Sequence, residues 1–201
     1  MNKRYFSIAV LLIVVLMFAV PKFFRSEAPT PGAPGMTLLP PRAPLVAFEL
    51  RDQRDQVFDT ARLRGKWSLL FFGYTHCPDI CPITLGTLKQ VHQLLGDKNK
   101  NIQYIFVAVD PERDTPTLLA NYTGYFHPDF LGLSGPHSEL DKLTKALGVN
   151  YRLGKNDTGD YQVDHSAAVF LVDPQVRLRG VFSAPQNAQN MAANLSRLEL
   201  P

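Results

Sequence analysis

Two cysteines, the only ones among 201 residues, stand four apart in Gly73-Tyr74-Thr75-His76-Cys77-Pro78-Asp79-Ile80-Cys81-Pro82. Sulfurs at this spacing can close a disulfide or hold a soft metal. Tetrahedral structural zinc takes four protein ligands, so a zinc site would have to recruit histidines from elsewhere. Copper(I) prefers thiolates and accepts low coordination numbers, so two cysteines and one imidazole suffice; the same trio could hold copper(II). A structural disulfide is the plain alternative in an oxidising compartment, although closing so short a loop removes little chain entropy and stabilises weakly. A third use is thiol-disulfide exchange through a mixed disulfide.

The flanking sequence says how such a pair is held. Pro82 has a fixed φ and no N–H, so it suits a first helical turn and puts Cys81 at or near the N-cap, where free N–H groups and the positive dipole end favour a thiolate. Leu85, Leu88, Val91 and Leu95 then recur on one stripe, and Gly96 ends the helix. Residues 67–72 and 102–109 read as buried strands, 48–50 and 57–58 as short antiparallel ones. Thr115 and Pro116 open a helix that runs to about 125, and a further helix covers 138–147 before Gly148. Residues 154–160 form a turn-rich hairpin or excursion. Strands at 167–172 and 177–182 and a helix through Met191, Leu195 and Leu198 complete the pattern. This order predicts an α/β, thioredoxin-like mixed sheet with helices on both faces. About 155 residues suffice to bury roughly 70% of the unfolded surface without cross-links.

Three segments carry a family likeness: residues 73–82, Asp110-Pro111-Glu112-Arg113-Asp114-Thr115-Pro116, and Tyr161-Gln162-Val163-Asp164-His165-Ser166. In sequence and order they resemble the signatures of the Sco/SenC family, and the likeness runs from about Leu45 to Leu198. The resemblance implies a membrane-anchored, thioredoxin-fold copper protein that helps assemble cytochrome c oxidase, with Cys77, Cys81 and His165 as ligands of Cu(I) or Cu(II). It further implies delivery by ligand exchange to the binuclear copper centre of cytochrome c oxidase subunit II, with a periplasmic copper donor protein as the source. The alternative is a thiol-disulfide oxidoreductase in which Cys77 and Cys81 act as a redox pair that reduces the partner's cysteines before loading.

His165 lies between the expected hairpin and the strand at 167–172, where a side chain can reach across a sheet rim. No proline stands between Leu153 and Asp173, where thioredoxin-like oxidoreductases carry a cis-proline. The other histidines invite plainer readings. His76 adjoins Cys77, and neighbouring side chains in extended chain point apart. His92 on the polar helix face and His127 and His137 in loops are expected to be solvated. Asp79 and Asp164 are read either as groups that orient the ligands or as turn and strand-end residues. Asp110 and Arg113 are expected to shape the functional rim.

Lys3 and Arg4 precede an apolar run over residues 5–20, followed by Pro21, Lys22, Phe23, Phe24 and Arg25. Its length lies between a signal-peptide core and a full span, and no small-x-small site closes it, so residues 1–25 read as an uncleaved anchor. Residues 26–44 are proline-rich and read as a semi-rigid linker, leaving 45–201 as the domain. Flanking charges are nearly balanced and do not fix orientation. The family likeness implies a single-pass bacterial inner-membrane protein with its domain in the periplasm. The net charge of +3 comes from the membrane end: without Lys3, Arg4, Lys22 and Arg25, 17 basic residues face 18 acidic ones. No basic aromatic stripe or recognition motif points to nucleic acid.

Overall fold

The computed structural model describes residues 35–40, 42–154 and 161–198. The expected anchor, about half of the expected linker, and residues 155–160 of the stretch expected to be a turn-rich hairpin or excursion lie outside the described residues. Among the described residues, no helix is long and apolar enough to cross a membrane.

The strands are β1 (Met36–Leu38), β2 (Glu49–Asp52), β3 (Val57–Asp59), β4 (Trp67–Gly73), β5 (Ile102–Ala108), β6 (Leu131–Ser134), β7 (Tyr151–Leu153), β8 (Val163–His165), β9 (Val169–Val172) and β10 (Leu178–Phe182). The helices are α1 (Ile80–Leu95), α2 (Pro116–Phe126), α3 (His137–Leu147) and α4 (Ala188–Leu195). One mixed sheet has the order β1-β10-β9-β4-β5-β6-β2-β3, and β7 and β8 make a separate antiparallel pair. Strands β4, β5 and β6 run parallel, and the other neighbours are antiparallel.

Every residue of β4 is buried, so this central strand is covered on both faces. That is why it reads as a continuous apolar run rather than an alternating one. Helix α1 buries Cys81, Thr84, Leu85, Leu88, Val91 and Leu95 along one stripe, each leucine contributing about 1.5–3 kcal/mol of burial. Gly96 at φ 51° ends it, a conformation open to glycine at little cost. Thr115 caps α2 by accepting the Leu118 N–H at 3.3 Å, with Pro116 as its first residue.

The segment expected to be a linker holds a strand: β1 pairs with β10 through Met36, Thr37 and Leu38. Its backbone groups complete the edge of β10, a contact that proline spacing cannot signal. The last helix stops at Leu195, short of the expected Leu198.

Candidate metal centre

Strand β4 delivers the chain to Gly73 at the rim, and a turn in which the Cys77 N–H donates to the Tyr74 carbonyl leads into the motif. Asp79 is the N-cap of α1, so Cys81 is its second residue, near the cap as expected, and Pro82 falls within the first turn. No intrahelical bond is lost there, because first-turn N–H groups have no partner within the helix. Gly73 makes room for the sulfur. A Cβ on it would stand 2.5 Å from Cys81 Sγ and 2.9 Å from the Phe106 ring.

His165 ends β8, directly opposite Tyr151 of β7. Its Nε2 lies 3.3 Å from Cys81 Sγ, and its Nδ1 lies 3.1 Å from the Ser166 carbonyl oxygen. A carbonyl can only accept, so Nδ1 carries a proton toward Ser166, and Nε2 is the nitrogen turned to the sulfurs. The rings of Phe71 and Tyr74 meet the imidazole edge-on at 6.0 and 5.9 Å. Donor atoms of Cys77, Cys81 and His165 all lie within 4.8 Å of one another. Neither sulfur is in a disulfide.

Electrostatics separate the two thiols. The hydrogen bond from Cys81 pulls Cys77 down to about 4 against the cost of burial, helped by His165 and by the backbone N–H groups of Asp79 and Cys81. The same sulfur–sulfur bond and complete burial push Cys81 upward. Without metal, Cys77 is therefore the thiolate and Cys81 the thiol. The helix terminus was expected to favour a thiolate at Cys81. Burial and the charge already on Cys77 outweigh it, since two adjacent buried anions cannot both be held.

The segment at 110–116 ties both arms of the site in place. Asp114, 1% exposed, accepts hydrogen bonds from the Thr75 N–H at 3.1 and 3.2 Å and from the Thr75 hydroxyl at 2.5 Å. It pins the turn before Cys77. Burial nevertheless pushes its carboxyl upward, partly offset by these donors. Asp110 accepts from the Tyr161 hydroxyl at 2.7 Å and pairs with Arg113, whose Nη1 donates to the Tyr161 carbonyl at 2.9 Å while its guanidinium stacks on that ring at 3.8 Å. Tyr161 lies four residues before His165. Asp110 and Arg113 thus shape the rim as expected; the tie through Asp114 carries no sequence signal, because its partner is 39 residues away.

The remaining residues divide. His76 is exposed, with its Nδ1 3.1 Å from the Thr75 hydroxyl oxygen. Asp164 forms a surface pair with Arg152 at 2.9 Å and does not orient His165. Asp79 is exposed and makes no side-chain cap. His137 is not merely solvated: it begins α3, stacks on Tyr151 and bridges the Tyr151 hydroxyl at 3.0 Å and Glu112 at 3.1 Å. That adds a further tie to the His165 hairpin. His92 and His127 are half-buried against each other, ring centroids 3.9 Å apart. Beside His165, an open groove of about 440 Å³ is lined by Asn150, Tyr151, Arg152, Asp164 and Ser166 among others.

Residues 41–199 match the SCO1/SenC family. A protein of Stutzerimonas stutzeri whose name provisionally assigns copper binding is 39% identical over 176 residues, covering 87% of this chain and 86% of its own length. The mitochondrial SCO2 homolog of Bos taurus is 40% identical over 153 residues, 75% of this chain but only 58% of the bovine protein. The structure of Bradyrhizobium japonicum ScoI with copper bound superposes with a TM-score of 0.71 at 37% identity, over 77% of this chain and 99% of that one.

Proposed function

This chain belongs to the SCO1/SenC family, and from that membership and its rim geometry we propose that it is a copper metallochaperone that loads the binuclear copper centre of cytochrome c oxidase subunit II. The carrying observation is the convergence of Cys77, Cys81 and His165 within 4.8 Å. Two sulfurs and one neutral imidazole make a soft donor set suited to copper, and too small a set for structural zinc. Copper here is cargo. Cys77 is already a thiolate, Cys81 gives up its proton on binding, and His165 offers Nε2 while Ser166 holds its tautomer. The groove beside His165 and the exposed Ile83 on the first turn of α1 leave a face on which a partner can rest while its own ligands displace these one by one.

Residues 1–25 are proposed to anchor the chain in the bacterial inner membrane, with the domain in the periplasm and a periplasmic protein as copper donor. The apolar run between basic flanks supports the anchor.

The test is transfer. Copper-loaded protein is mixed with the metal-free soluble domain of subunit II, and the absorption of the binuclear centre is followed. Its appearance, with matching loss of copper from the donor, is expected. If instead metal-free protein reduces oxidised subunit II while copper never moves, thiol exchange by Cys77 and Cys81 is the function.

A further inference from the structure

At the far end of α1 from the cysteines stands a second group of donors. His92 lies in the last turn of α1, His127 follows α2 as its C-cap, and Asp129 follows two residues later. One donor atom from each falls within 4.8 Å of the others. Eleven residues of helix separate Cys81 from His92, about 16 Å of axial rise. The two groups therefore cannot share an ion.

Three features suit this corner to a cation. First, Asp129 Oδ2 lies 3.8 Å from His127 Nδ1, and the Asp129 N–H that this nitrogen accepts at 3.2 Å is an exposed hydrogen bond that a cation would have to displace. Second, the rings of His92 and His127 rest on an aromatic floor: Tyr104 lies 5.3 Å from His92, Phe130 lies 5.6 Å from His127, and Tyr104 and Phe130 stack at 4.9 Å. This floor limits how far either imidazole can swing. Third, Asp129 is largely exposed, with 77% of its side chain accessible, so the carboxylate can turn inward without breaking a buried contact. Donors around one tetrahedral ion at 2.0–2.1 Å stand roughly 3.3 Å apart. Closing to that spacing needs a small splay of the two rings on this floor and a rotation of the exposed Asp129.

We propose that His92, His127 and Asp129 form a second metal site, for a borderline divalent cation such as Zn²⁺ or Cu²⁺. Two imidazoles and a carboxylate exclude the preference for Cu(I) that two sulfurs create, and they leave at least one coordination position to solvent. The site is chemically distinct from the cysteine centre and does not depend on the function assigned to it.

The experiment uses the full chain with Cys77→Ser and Cys81→Ser, which removes the sulfur site, titrated with Zn²⁺ by calorimetry. One equivalent of Zn²⁺ is expected. Adding His127→Gln should weaken binding by roughly a hundredfold or more, at or beyond the upper end of what losing an outer partner costs. Adding Asp129→Asn should weaken it to a lesser degree. Far-UV circular dichroism of the metal-free variants checks that the fold is kept, and His92→Gln provides a second ligand variant should His127→Gln fail to fold. Absence of Zn²⁺ binding in the cysteine-free chain, or an unchanged affinity in folded His127→Gln or His92→Gln, would overturn the proposal and leave the rings as a packing stack.

Discussion

Cys77 and Cys81 share nearly the same place but not the same charge, and that difference can be read as a pH dependence of stability. In the metal-free protein Cys77 loses its proton near pH 4 when folded, whereas an unfolded cysteine holds it to about 8.5. Between these values the unfolded chain binds more protons, so stability rises with pH, is complete above the unfolded value, and is lost as pH falls through about 4. Cys81, whose folded value is raised, acts in the opposite sense: its contribution is intact below the unfolded value and fades as pH climbs past it. Thermal midpoints measured from pH 4 to 8 should climb in the wild type, and Cys77→Ser should reduce the slope; equal slopes would contradict the assignment of the thiolate. The sequence made both sulfurs and His165 visible as a ligand set through the three family-like segments. Which sulfur carries the charge was not visible, because that depends on burial and on the order in which two coupled thiols ionise.

Strand β4 and helix α1 meet at a point with no spare volume. Gly73→Ala would press a methyl group onto Cys81 Sγ and Phe106, an overpacking that costs about 1–3 kcal/mol. A lowered thermal midpoint together with weakened copper binding is expected; a variant that binds copper as tightly as the wild type would show that the sulfur is not seated against the strand. The hairpin of β7 and β8 is held by the Tyr161 hydroxyl on Asp110. Tyr161→Phe should lower copper affinity about tenfold, in the range of an outer partner that orients a ligand, while leaving both thiols titratable by a thiol reagent. An unchanged copper affinity would mean that the Arg113 and His137 contacts suffice to position the hairpin. The apolar strand before the cysteines, Pro82 and the leucine stripe made the first arm of the site legible. The second arm was less so: Tyr161 meets Asp110 and Arg113 only when distant segments fold together, and His92 and His127 were read as solvated because nothing local reports that their rings stack.

The mixed α/β architecture was legible from the alternation of apolar strands and amphipathic helices, yet the domain's edge was not. Strand β1 sits inside the proline-rich stretch, paired with β10 while Met36 packs against the core. A soluble version beginning at residue 45 would expose the β10 edge, which invites association between chains. Compared with one beginning at residue 35, it should melt at lower temperature and self-associate, as read by scanning calorimetry and sedimentation; identical behaviour would show that β1 contributes nothing to the folded domain. Everything proposed for the molecule as a copper carrier rests on one imidazole meeting two sulfurs. X-ray absorption of the copper(I)-loaded protein and its His165→Ala variant tests this most directly: the account predicts two sulfur ligands and one nitrogen ligand in the wild type, with the nitrogen lost and binding weakened in the variant. The same coordination and affinity in both proteins would contradict it.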